Sequence, residues 1–251
     1  MPEPIYSIRD IVKSYGSKQV INGLTFDIRR GECFVILGRS GSGKSVTLRL
    51  LDGLEKPDRG SILFDGTEIT GLSDRELLPI RQRVAMLFQG GALFDSMTVF
   101  ENIAFPLREH TTLGTAELAA KVAHQLALVG LSGVEDRLPA ALSGGMKKRV
   151  ALARSLALDP EVVLFDEPTT GLDPMTSATI ARLIQSSQKS LSSTAVVVTH
   201  DLALAQTVSD RLAFLDQGNL RFIGTWQEAL DSNDRLLTAF LAGREEQENA
   251  A

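Results

Sequence analysis

Gly38-Arg39-Ser40-Gly41-Ser42-Gly43-Lys44-Ser45 fits Gly-x-x-x-x-Gly-Lys-Ser, a spacing able to cradle phosphates. Glycines at 38, 41 and 43 let the backbone curl so that successive N–H groups point at phosphate oxygens, and a helix beginning near Gly43 presents its positive end to them. Lys44 is then within reach of β- and γ-phosphates, and the Ser45 hydroxyl is a ligand for Mg²⁺. The competing reading is a glycine-rich turn ahead of a helix. A second group is Asp166-Glu167, two acids ending the apolar run Val162-Val163-Leu164-Phe165. There Asp166 is placed to hold Mg²⁺, directly or through water, and Glu167 to polarise an attacking water. A solvated strand end is the alternative. His200 follows the apolar run 194–198 and is a candidate γ-phosphate contact, although a lone histidine is more often a surface or core residue.

These residues need elements that present them on one side. The short apolar runs at 33–37, 84–88, 162–166, 194–198 and 211–215 have the length and composition of buried parallel strands, whose carboxyl ends are where open α/β sheets bind ligands. Helical periodicity covers 44–52, 74–82, 115–129, 144–158, 175–191 and 201–209, several after Ser, Asp or Thr caps. Alternation of the two predicts a layered α/β core with a parallel sheet. Residues 5–31 read as short strands with turns at 14–18 and at Asn22-Gly23, and 61–70 as a further strand of an antiparallel sheet. A hairpin turn is expected at Gly218-Asn219, with a helix from about Gln227.

Leu142-Ser143-Gly144-Gly145-Met146 adds a second glycine-rich turn at the start of a helix, where free N–H groups attract anions. Tyr15, the phosphate loop, Gln89, this turn, Asp166-Glu167, Gly171-Leu172-Asp173 and His200 occur in the order of ABC-type nucleotide-binding domains. Over residues 15–200 the chain resembles that family. The resemblance implies a P-loop NTPase fold with a parallel core sheet, an antiparallel β subdomain and an α-helical subdomain at about 90–160. It implies a single ATPase domain at 5–240 followed by a charged tail at 241–251. By the same resemblance, ATP is expected to be held by Tyr15 stacking on adenine and by Gly38, Arg39, Ser40, Gly41, Ser42, Gly43, Lys44, Ser45 and Val46. It further implies Mg²⁺ ligation by Ser45, Gln89 and Asp166, and service in hydrolysis by Glu167, His200 and Gln89. Ser143, Gly144 and Gly145 serve the ATP gripped by a second copy of the chain, and Asp173 bridges to that copy, so two chains sandwich two nucleotides across a two-fold axis.

Met146 stands where the commonest family pattern has Gln, and a thioether is a weak acceptor where an amide has two donors and an acceptor, so the contact of that Gln is not carried over. With Leu87-Phe88-Gln89-Gly90-Gly91-Ala92-Leu93-Phe94-Asp95 and Phe105-Pro106-Leu107-Arg108-Glu109-His110-Thr111, the stretch from Leu142 to Arg149 looks like the ATPases of MCE-type lipid transporters, the Mla phospholipid group among them. That resemblance implies permease subunits in the membrane, an extracytoplasmic or periplasmic MCE lipid-binding protein and a small accessory subunit. It also implies a peripheral location on the cytoplasmic face of the inner (plasma) membrane. The apolar stretch 97–107 is a candidate groove for a permease helix or, on another face, core packing. An importer of amino acids or metal ions, a soluble ABC ATPase and a metabolite kinase are the rival readings.

At 251 residues the chain is long enough for a substantial core, and no stretch approaches 18 consecutive apolar residues. Met1-Pro2-Glu3-Pro4 lacks the basic start and apolar core of a secretory signal. A net charge of −5 argues against a nucleic-acid partner, which calls for a basic patch. Lys147-Lys148-Arg149 is a local exception that reads as a solvated helix face. The one cysteine, Cys33, excludes an internal disulfide and reads as a small buried hydrophobe.

Overall fold

The computed structural model describes residues 3–244. In chain order these form β1 (Pro4–Tyr15), β2 (Lys18–Arg29), β3 (Cys33–Gly38), α1 (Lys44–Leu51), β4 (Arg59–Phe64), β5 (Thr67–Glu68), α2 (Asp74–Arg83), β6 (Val84–Leu87), α3 (Val99–His110), α4 (Thr115–Leu128), a 3-10 turn (Pro139–Ala141) and α5 (Gly144–Ser155). There follow β7 (Val162–Asp166), α6 (Pro174–Leu191), β8 (Thr194–Thr199), α7 (Leu202–Val208), β9 (Arg211–Asp216), β10 (Asn219–Gly224), α8 (Trp226–Leu230) and α9 (Arg235–Leu241). Two compact units result, one from residues up to Leu72 and from Val197 onward, the other spanning Ser73–Val196. The tail expected at 241–251 lies, from 245 on, outside the described residues.

In the first unit an antiparallel sheet of order β2-β1-β4-β5 is joined by strands in the order β10-β9-β3-β8. Every residue of β3 is buried, which is why its sequence is an unbroken apolar run and carries no alternation. β9 lies parallel to β3, from Phe34 opposite Arg211 to Gly38 opposite Leu215, while β10 pairs antiparallel with β9. Cys33 is buried at the start of β3, and burial pushes its thiol pKa far above the usual range, so it stays protonated and inert. Arg211 donates to Glu32 at 3.0 Å and stacks over Phe34, tying the start of β9 to the start of β3.

Three turn expectations need correction. Asn22-Gly23 is no turn: β2 runs through it as a bulge, Ile11 facing Leu24 and Val12 facing Asn22, and Gly23 takes the extra position at φ +73°. The 61–70 segment is a hairpin and not one strand. Asp65 at φ +50° and Gly66 at φ +77° form its two-residue loop, the backbone twist that an Asp-Gly pair supports. The β9–β10 turn falls on Gln217-Gly218, with Asn219 already paired to Asp216.

The second unit carries β8-β7-β6, with β6 parallel to β7 from Val84 opposite Val162 to Leu87 opposite Phe165. Its helices include α3, a helix absent from the expectations above, which carries Pro106 in its interior. The sequence did contain a start signal. Thr98 and Glu101 form a capping box, the Thr98 hydroxyl accepting from the Glu101 N–H at 3.2 Å while the Glu101 carboxylate accepts from the Thr98 N–H at 2.7 Å. Val99, Ile103, Ala104 and Leu107 face the core, each large side chain contributing roughly 1.5–3 kcal/mol on burial.

Asn102, fully buried on α3, holds the loop ahead of it. Its amide donates to the carbonyls of Phe94, Met97 and Thr98 at 3.0–3.1 Å, and its side-chain oxygen accepts from the Phe94 N–H at 2.8 Å. Asn102→Leu strands those backbone groups away from water and is expected to destabilise the protein by roughly 2–4 kcal/mol, read from urea unfolding, since each buried unpaired group costs about 1–3 kcal/mol. Parental stability in this variant would mean that water enters the loop and replaces the amide.

Candidate functional site

The phosphate loop leaves the carboxyl end of β3 and enters α1. Gly43 sits at φ +99° as the residue before the helix, and no side chain caps the helix start. A Cβ at Gly43 would fall 2.5 Å from Ile21, and one at Gly38 would fall 2.3 Å from the Leu215 carbonyl, so both positions exclude side chains. Lys44 is buried, and its ammonium donates to the carbonyls of Gly38 at 2.8 Å and Arg39 at 3.0 Å, folding over the loop it follows. The Ser42 hydroxyl is buried without a hydrogen-bond partner, an orphan aimed at the same curl of backbone. This is a cradle that oxyanions fit and neutral apolar groups do not.

Tyr15, at the end of β1, is 45 % exposed, as a stacking surface requires. Its hydroxyl donates to Glu55, which is also paired at 2.5 Å with Arg49 of α1. The aromatic ring is thereby tied to the helix that follows the phosphate loop, a link that the sequence reading missed. His200 is exposed directly after β8, and Asp201 behind it caps α7 by accepting from Ala203 and Leu204 at 3.0 and 3.1 Å. The cap fixes where the strand ends and so where the imidazole starts.

In the second unit, β7 delivers Asp166 and Glu167, both 8 % exposed. Glu167 adopts φ +48°, a conformation that costs a non-glycine residue energy and persists only where its surroundings impose it. The Thr170 hydroxyl donates to its carboxylate at 3.3 Å. Gln89 lies just beyond β6 with its side chain exposed, and its carbonyl accepts from the Lys148 ammonium. Lys148 is therefore no member of a solvated basic face. Burial pushes its pKa down, and Asp166 and Glu167 push it back up in part, so the structure groups Gln89, Lys148, Asp166 and Glu167.

Ser143 caps α5, accepting from the Met146 N–H at 3.3 Å, and Gly144 faces open space with nothing within 4 Å of a built Cβ. Gly145 is different: a Cβ there would sit 2.7 Å from Cγ2 of Thr176. Thr176 in turn donates its hydroxyl to Asp173 at 2.5 Å, while Asp173 caps α6 by accepting from Met175 and Thr176 at 3.0 Å. Asp173 thus has a local structural duty beside any bridging one, and the start of α5 packs on the start of α6.

A family model described as ABC transporter matches residues 21–170, a span that contains the phosphate loop and both acids. The chain belongs to the ABC transporter family. It is similar to a probable ribonucleotide transport ATP-binding protein of Mycobacterium leprae, 45 % identical over 94 % of this chain and 68 % of that one. It is also similar to an intermembrane phospholipid transport system ATP-binding protein, MlaF, of Haemophilus influenzae, 38 % identical over 97 % of this chain and 92 % of that one. Among solved structures it resembles a dimeric ATP-binding cassette in a post-hydrolysis state bound to ADP and Pi, with a TM-score of 0.82 and 31 % identity over 88 % of this chain and 98 % of that one. The mixed α/β core and the ATPase activity implied by the motifs are those of the ABC family.

Within this ABC cassette the second unit also has a cleft of about 240 Å³, lined among others by Arg81, Met86, Phe88, Pro106, His110 and Arg154. Of the 97–107 stretch, Pro106 lines this cleft, while Val99, Ile103, Ala104 and Leu107 are core. Among the described residues no helix is long and apolar enough to cross a membrane.

Proposed function

We propose that residues 5–240 form one ATPase domain that sits on the cytoplasmic face of the inner (plasma) membrane and works as a homodimeric motor on a permease, driving phospholipid transport together with an extracytoplasmic MCE protein. The observation that carries the motor reading is the second glycine turn: Ser143 and Gly144 are exposed at the start of α5, with open space in front of Gly144. Such a turn offers N–H groups to an anion that this chain's own helix does not supply. The dimeric cassette with ADP and Pi supports two copies, and the likeness to MlaF supports the lipid.

In this reading Tyr15 stacks on adenine, and Gly38 to Ser45 with Val46 bind the phosphates. Lys44 exchanges its two carbonyl partners for phosphate oxygens. Glu167 accepts the proton of the attacking water, His200 holds the γ-phosphate, and Gln89 orients the water. Ser45, Asp166 and Gln89 offer oxygen ligands, the kind that Mg²⁺ prefers, and would hold that ion, which would supply neutralising charge beside the transferring phosphoryl group. Asp173 meets the second copy, and the cleft around Phe88 and Pro106 receives a permease helix. A small accessory subunit completes the assembly.

Copurification from native membrane tests the assignment. The expected result is a complex holding a multispanning permease, an MCE protein and extractable phospholipid. A permease accompanied by an amino-acid- or metal-binding protein would move the chain to another transport class, and a ribosome in the complex would end the transport reading.

A further inference from the structure

Lys148 has no assigned role in the reading above, yet it is the cation around which one side of the second unit is organised. Its neighbour Lys147 is exposed, as a basic helix face should be, but Lys148 is buried. A buried ammonium persists only where its donors find acceptors and its charge is offset. Here the acceptor is the main-chain carbonyl of Gln89, and the offsetting charges are Asp166 and Glu167 at the end of β7.

The loop that it holds is rich in glycine where it leaves Gln89. After Gln89 come Gly90, with open space where a Cβ would stand, and Gly91 at φ +78°. The Gln89 side chain is exposed, so its position follows its backbone. A second cation of α5, Arg154, donates to the Ala92 carbonyl at 2.8 Å. One helix, the one opening at Ser143-Gly144-Gly145, therefore grips this loop at two carbonyls.

We propose that Lys148 is a positioning residue for ATP hydrolysis: it fixes the main chain at Gln89 against the Asp166-Glu167 carboxylates and couples both to the helix that begins at Ser143. The proposal rests on the ATPase reading and adds to it a device within one chain. Displacement of the Ser143 end of α5 by a second copy's nucleotide is carried along a rigid helix to the groups that handle water.

The full-length chain is tested as Lys148→Met, Lys148→Gln and Lys148→Arg, with kcat and KM for ATP and with amide exchange across residues 87–92. Lys148→Met is expected to lower kcat about tenfold or more with KM changed less than about twofold, the pattern of an interaction needed in the transition state and not for binding. Exchange at 87–92 should quicken in the same variant. Lys148→Arg, which keeps both a donor and a charge, should return kcat to within about threefold of the parent. If the Met variant does not fold, Lys148→Gln, which keeps a donor and drops the charge, is read for the same split. Parental kcat and exchange in either uncharged variant would overturn the proposal, as would an Arg variant no better than Met. Should the parent's turnover survive Lys44→Ala, the ATPase reading itself has failed, and exchange at 87–92 still decides whether Lys148 anchors the loop.

Discussion

Glu167→Gln is expected to cut kcat for ATP hydrolysis by roughly 10²–10⁴-fold, the usual scale for removing a general base, while ATP still binds and dimers accumulate. Glu167 is buried at the end of β7, held at φ +48° and hydrogen-bonded by Thr170. Gln has the same shape and can still accept from the Thr170 hydroxyl, so the local backbone survives the change. What it cannot do is take a proton at neutral pH. Binding, which belongs to the phosphate loop, is untouched, and a dimer that closes on ATP without hydrolysing it has no route back. Phosphate release gives the rate, and the mass of the ATP-bound species gives the assembly. A parental rate would remove Glu167 from the role of base.

Mixed dimers carrying Lys44→Ala and Ser143→Ala give the second large effect. Either change in both copies should lower turnover by about 10²-fold or more, as loss of groups that meet phosphate charge does in other sites. The informative comparison is between two dimers with one copy of each change. If each site takes Lys44 from one copy and Ser143 from the other, placing the changes on different copies leaves one intact site. Placing both on the same copy destroys both sites. The first dimer should retain on the order of half the parental rate and the second almost none. The reverse ranking would mean that each chain serves its own nucleotide. Open space before Gly144 motivates the first outcome. The close approach of Gly145 to Thr176, which is bonded to Asp173, makes the starts of α5 and α6 one packed corner.

Much of the site was legible because its signals are local. The phosphate loop needs glycines where φ is positive or a Cβ has no room, and those needs are written in eight consecutive residues. β3, β7 and β8 are buried along their whole length, so each appears as an apolar run ending at a candidate site residue. α3 went unread although its Thr98–Glu101 capping box was present, and the bulge at Gly23 looked like a turn because the same φ serves both.

By itself the sequence determined which chemistry is present: a phosphate cradle, two acids, a histidine and a second anion-attracting turn, each set by spacing along a few residues. Tertiary structure decided which charged groups share an environment. Lys148 and the Gln89 carbonyl are 59 residues apart in the chain, and Lys147 and Lys148 look alike until the fold buries one and exposes the other. Helical periodicity places residues on faces, but whether a face meets water or a distant carbonyl depends on how remote segments pack, and a single charge buried among such partners leaves no local trace.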